Sequence, residues 1–251
     1  MAAVLSERKK LILDQLAEDS RISVSELAKK FGVTMVTARA DLIALEEEGF
    51  IVRVHGGAMP AFHPKIMERI RSRKDVKSAI AKAAAKLIDD GDTVLVTAGT
   101  TTALIPKYLL GKRDMHIVTN NTLLLTYARA NPQLRVTLVG GEFLPAEEGM
   151  VGLLAQRAIE QFHVAKAFVG VDGASVQQGF TANSVESADF VRKMADQADR
   201  VIAVADSAKF GAPGFARILP FSQVQILVTD DALGASFEES LKESKVQVIK
   251  A

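Results

Sequence analysis

The segment Thr97-Ala98-Gly99-Thr100-Thr101-Thr102 follows the apolar run Thr93-Val94-Leu95-Val96 and leads into a helical pattern over 103–110. A strand that passes into a helix through glycine and threonines gathers backbone amides, hydroxyls and the positive helix end at one spot, which suits a phosphate. Threonines are equally ordinary helix caps, and the segment is neither Gly-x-Gly-x-x-Gly nor a Walker pattern. Other apolar runs end in Asn120-Asn121, Gly140-Gly141, Asp172 and the stretch leading to Lys209, while Asn183 and Glu186 precede a further helical pattern. Gly99, Thr100, Thr101, Thr102, Asn120, Asn121, Gly141, Asp172, Asn183, Glu186 and Lys209 therefore form one candidate ligand set. Amides, hydroxyls and Lys209 would take the phosphate of a phosphorylated sugar or polyol, and Asn120, Asp172 and Glu186 its hydroxyls. Taken singly, each of these residues can instead cap a helix or turn a loop. The histidines His55, His63, His116 and His163 stand apart and there is no cysteine. Neither a metal site nor a cofactor is expected.

Those residues need a sheet to bring them together. Apolar runs at 93–96, 116–118, 136–139, 167–171, 201–204 and 226–228 read as buried parallel strands, with helical stretches between them at 103–110, 123–130, 153–162 and 185–198. The pattern predicts an α/β domain over 76–251, a mainly parallel sheet covered on both faces, with ligands beyond the carboxyl ends of its strands. Residues 58–75, with Pro60 and Pro64, read as a linker. From Lys65 through Arg69, Arg71, Arg73, Lys74, Lys77 and Lys82 to Lys86 the chain is at its most basic, either a solvated face or extra phosphate contacts.

Residues 1–57 have a different texture. Ser6 caps a first amphipathic helix from Glu7, and Ser23 or Ser25 caps a second that places Val24, Leu27, Ala28 and Phe31 on one face. Gly32-Val33-Thr34 makes a tight turn into a third helix from Met35 to about Glu48, with Ala38, Leu42 and Leu45 as its buried stripe. Val36, Thr37, Ala40 and Ala44 then face outward, with Arg39 on the flank. A strand over 50–54 and the turn His55-Gly56-Gly57 complete a winged helix-turn-helix, whose last helix enters the major groove of DNA. Thr34, Met35, Val36, Thr37, Arg39, Arg53, His55 and Gly56 are its candidate contacts with a double-stranded operator. Arg39 could also pair with a carboxylate one turn away, and His55 could simply cap the turn. With a net charge of +1, any grip on DNA must come from such a local patch.

The sequence resembles the DeoR family of bacterial regulators in Ser23-Val24-Ser25-Glu26-Leu27-Ala28, Thr37-x-Arg39-x-Asp41-Leu42, Gly49 and Arg53-Val54-His55-Gly56-Gly57-Ala58, and again in the strand-end motifs of the second domain. The resemblance covers the chain from about Ser6 to Asp230. It implies a sensor domain with a fold similar to ribose-5-phosphate isomerase, a sugar-phosphate effector, and repression of a carbohydrate operon. Two positions depart from the family pattern. Ala40 stands where the family has arginine in Thr-Ile-Arg-Arg-Asp-Leu, and Thr97 where it commonly has the aspartate of Asp-x-Gly-Thr-Thr.

A phosphosugar isomerase is the main rival, since Glu186 or Asp172 could move a proton while Lys209 holds an oxyanion. An enzyme has no use for an attached winged helix, so no catalytic activity is expected. A protein-docking adaptor is a third reading, separable by salt-sensitive retention on DNA. The sequence carries no secretory signal and no apolar run long enough for a bilayer, so a cytoplasmic protein without a membrane partner is expected. Paired half-sites would require a homo-oligomer, a dimer or a tetramer.

Overall fold

The computed structural model describes residues 6–19 and 21–251, which divide into two units at the boundary between Arg71 and Ser72. The smaller unit contains α1 (Glu7–Asp19), β1 (Ile22–Ser23), α2 (Val24–Phe31), α3 (Met35–Glu47), β2 (Ile51–Val54), β3 (Gly57–Pro60) and α4 (Pro64–Arg71). Its turns follow local chemistry. Ser23 and Glu26 form a reciprocal capping box at α2, and the Ser23 hydroxyl holds the Glu26 carboxyl below its usual range. Gly32 closes α2 in the left-handed conformation (φ 61°), and the Thr34 hydroxyl accepts the Thr37 N–H at 3.1 Å. Thr34→Ala is expected to cost about 0.5–2 kcal/mol and to fray the start of α3, read by thermal melting and by amide exchange over its first turn.

Ala38, Leu42 and Leu45 pack with Ile12, Leu16 and Leu27 into the core of this unit, as their spacing predicts. Periodicity does not disclose Asp41, also on the inner face, whose carboxylate receives the Arg8 guanidinium through two bonds of 2.6 and 3.0 Å. The wing has three strands in the order β1-β3-β2, so the one expected strand, β2, lies at an edge and pairs with β3, which in turn pairs with β1. Residues 58–75, read as a linker, carry β3, α4 and the first residues of α5. Met67 is part of the small unit's core, and Arg71 reaches Asp14 at 3.3 Å.

The larger unit opens with α5 (Lys74–Ala85) and β4 (Thr93–Val96). A 3₁₀ helix over Thr102–Tyr108 follows, in place of the α-helix expected at 103–110, with Pro106 inside it. Next come β5 (Met115–Thr119), α6 (Leu124–Ala128), β6 (Leu134–Leu138), β7 (Glu142–Leu144), β8 (Gly149–Val151), α7 (Gly152–Ile159) and β9 (Val164–Gly170). Then follow β10 (Gly173–Ser175), β11 (Gly179–Ala182), α8 (Val185–Ala195), β12 (Ala198–Val204), β13 (Ala216–Leu219), β14 (Ile226–Thr229), α9 (Ala235–Glu243) and β15 (Gln247–Lys250). The main sheet has seven parallel strands in the order β15-β14-β12-β9-β4-β5-β6. Consecutive residues Val94, Leu95 and Val96 are all buried, as are Ala167, Phe168 and Val169, which requires cover on both faces. The exposed-edge β15, the β7–β8 hairpin and the antiparallel β10-β11-β13 sheet lie outside the sequence reading.

Candidate nucleic-acid interface and ligand rim

The inward stripe of α3 leaves Val36 75% exposed, with Arg39, Ala40 and Ile43 also exposed. Met35, Arg39 and Leu42 line one wall of a groove of about 510 Å³, with Arg53, Val54 and Gly56 of the wing among the residues opposite. Arg39 has no ion-pair partner among the described residues, so its guanidinium stands available at this groove. Arg53 is different: its Nε lies 2.6 Å from the Glu46 carboxylate, a bond that fixes the wing strand to α3. His55 is exposed at the wing tip, and its carbonyl accepts a 3.4 Å bond from Arg21. The Thr37 hydroxyl lies 2.9 Å from that of Thr34, so much of its bonding capacity serves the cap.

The basic stretch from Lys65 to Lys86 is not one solvated face. Lys77 is buried, with Ser72 Oγ 3.3 Å from its ammonium, and Arg73 turns inward to Asp206 at 3.2 Å and Asp230 at 2.8 Å. Arg71 is spent on Asp14, which leaves Lys65, Lys74, Lys82 and Lys86 among the exposed cations.

In the larger unit the strand order reverses between β4, which continues to β5 and β6, and β9, which begins the opposite half. Open α/β sheets hold ligands beyond the strand ends at such a point. The loop over 97–102 lies there and is assembled from within. The Thr97 hydroxyl, fully buried, accepts the Gly170 N–H at 2.8 Å and lies 3.3 Å from the Ala98 carbonyl. Thr102 donates to the carbonyls of Thr97 and Gly99 at 2.9 and 3.1 Å. Asn121 donates to the same two carbonyls at 3.2 and 3.0 Å and accepts the Leu124 N–H at 3.2 Å. Asn120 accepts the Ala98 N–H at 2.7 Å and donates to the Met150 carbonyl at 2.9 Å. Thr102, Asn120 and Asn121 thus commit their side chains to the loop itself.

The uncommitted groups are fewer. Among the described residues, the backbone N–H groups of Gly99, Thr100 and Thr101 and the hydroxyls of Thr100 and Thr101 have no bonding partner. Lys209, half-buried at the end of the short helix after β12, has no ion pair among those residues. Asp172 accepts the Asn183 N–H at 3.0 Å, while the Asn183 and Glu186 side chains are exposed at the start of α8. Gly141 is placed by packing: a Cβ there would stand 2.4 Å from the Val151 carbonyl. The sequence gives no sign of the Arg73, Asp206 and Asp230 cluster or of Glu147, which accepts bonds from Ser184 and Ser187. Their partners are far apart in the chain, and no local pattern pairs them.

A three-helix head with a β-wing, followed by a parallel sheet whose loops leave amides uncommitted at the reversal point, is the build of a DNA-binding transcriptional regulator with a sensor domain. Residues 8–61 match the DeoR-like helix-turn-helix domain, and residues 72–231 match the DeoR C terminal sensor domain. The chain is 32% identical over 247 residues to the HTH-type transcriptional repressor GlcR of Bacillus subtilis (strain 168), covering 97% of this chain and 95% of that protein. It is 30% identical over 241 residues to the HTH-type transcriptional repressor CsqR of Escherichia coli (strain K12), covering 95% and 92%. The chain belongs to the DeoR family. Ribose 5-phosphate isomerase A from Methanocaldococcus jannaschii overlaps 55% of each chain at 16% identity and a TM-score of 0.40, too loosely to bear on chemistry. Among the described residues, no helix is long and apolar enough to cross a membrane, and no group of side chains is arranged to hold a metal.

Proposed function

We propose that this regulator represses a carbohydrate-metabolism operon in the cytoplasm as a homo-oligomer and releases its operator when a phosphorylated sugar or polyol binds the sensor rim. The observation that carries the reading is the loop over 99–101, where amides and two threonine hydroxyls have no partner among the described residues while the side chains of Thr97, Thr102, Asn120 and Asn121 around them are engaged. Oriented donors of this kind recognise a phosphate. Lys209, Asp172, Asn183 and Glu186 complete the rim and select among sugars. Contacts with DNA come from Thr34, which caps α3, from Met35, Val36, Thr37 and Arg39 on α3, and from Arg53, His55 and Gly56 on the wing. The rim binds without turnover, because it serves an attached DNA-binding head.

The test is thermal melting of the full chain against matched pairs of sugars and sugar phosphates. A phosphorylated member at 100 times its dissociation constant is expected to add about 2.7 kcal/mol of stability, its free sugar little, and the same phosphate should weaken DNA retention. Stabilisation by free sugars and phosphates alike would overturn the phosphate assignment. Conversion of the bound sugar phosphate would overturn the non-enzymatic one.

A further inference from the structure

We infer that α3 reads thymine methyl groups, with Val36 as the specificity-determining residue, a role that rests on the placement of α3 in the major groove proposed above. Val36, Ala40 and Ile43 recur at spacings of four and three on the outward face of α3, and all three are exposed. None carries a hydrogen-bonding side chain. Thr37 is tied to Thr34, and Arg39 lies to one side at the wing groove. An alkyl surface cannot satisfy the donors and acceptors of guanine, cytosine or adenine edges, whereas the C5 methyl of thymine offers it a partner.

A bare apolar stripe calls for an occupant, and its surroundings indicate one. Arg39 stands unpaired beside it, and Lys29, Lys30, Arg21 and His55 are exposed on the same unit, a setting that complements phosphates flanking a groove. With alanine at position 40, the central side chain is too short to hold the helix away from the base edges. Val36, at the second position of the helix and 75% exposed against 40% for Ile43, with a longer side chain than Ala40, then makes the closest approach.

Selection of duplexes from a randomised library with the full chain is expected to enrich thymine at a fixed position. Replacing that thymine by deoxyuridine removes one methyl and leaves every hydrogen-bonding group unchanged. The wild type is expected to lose about fourfold in affinity per methyl, whereas Val36→Ser, at an exposed site, should bind thymine and deoxyuridine duplexes equally, and Val36→Ala, which keeps one shorter methyl, should discriminate less than the wild type. An unchanged affinity of the wild type for the deoxyuridine duplex, or the same loss in the variants, overturns the inference while leaving DNA binding intact. Failure to retain any duplex overturns the placement of α3 together with it. Loss of self-association in Val36→Ala with thymine discrimination unchanged would make the stripe a protein contact and also overturn the inference.

Discussion

Arg73→Ala is expected to remove about 3 kcal/mol from the stability of the larger unit, the lower end of the range for breaking a buried ion pair. Arg73 lies between Asp206, whose side chain is 4% exposed, and Asp230, at 11%, and bonds the Ser207 hydroxyl at 3.2 Å. Removing the guanidinium leaves two carboxylates without their cation, while its own 32% exposure tempers the loss. Burial pushes the Asp230 carboxyl up, but the Ser207 N–H and hydroxyl together with Arg73 outweigh it and hold the group below the usual carboxylate range. A carboxyl depressed in the folded state stabilises it above the unfolded value of about 3.9. That contribution disappears as pH falls through the lower folded value, so acid melting of the wild type should steepen below about pH 4. Adding Asp230→Asn to Arg73→Ala should recover part of the loss, because it removes the stranded charge. Calorimetry of the single and double variants checks both statements; equal stability of Arg73→Ala and wild type would refute them.

Gly57→Ala should do comparable damage to the head. A Cβ at Gly57 would stand 2.0 Å from the Ile22 carbonyl oxygen and 2.9 Å from Ser23 Cα, all backbone that cannot swing aside. The β1–β3 pairing through Ser23 and Gly57 must separate, at a cost of about 3 kcal/mol or more. The wing would then no longer face α3, and retention on DNA should fall with stability. Gly56→Ala is the matched control: its backbone is left-handed (φ 80°), but nothing lies within 4 Å of the new carbon. Only the conformational strain of about 1–2 kcal/mol is added there. Melting temperatures in the order wild type, Gly56→Ala, Gly57→Ala are expected, and the reverse order for the two variants would show that the steric argument fails.

The contrast between these residues explains what the sequence makes legible. Ser23, Gly32 and Thr34 act on atoms within a few positions of themselves, so their caps can be read directly, as can the buried stripe of Ala38, Leu42 and Leu45. The runs at 93–96 and 201–204 declare buried strands because both of their faces are apolar. Arg73, Asp41 and Gly57 depend on partners brought near only by the completed fold. The rim lies between these cases. Its position follows from the strand ends, but Asn120, Asn121 and Thr102, chosen as ligand donors from their type, have their polar atoms bonded within the protein. The same chemistry that would hold a sugar also holds a loop, and composition cannot distinguish the two uses. The rim's available donors therefore include three backbone groups, the N–H of Gly99, Thr100 and Thr101, which no residue type announces, beside the Thr100, Thr101 and Lys209 side chains, which their types do.

Asn120 adds a mechanical consequence. One end of its amide is fastened to the loop after β4 and the other to Met150 in β8. A rigid planar group with both ends fastened acts as a tie rod: it cannot follow one attachment without pulling or releasing the other. The loop over 97–102 and the β7–β8 hairpin are thus geared together, and a displacement imposed on either becomes a displacement of both.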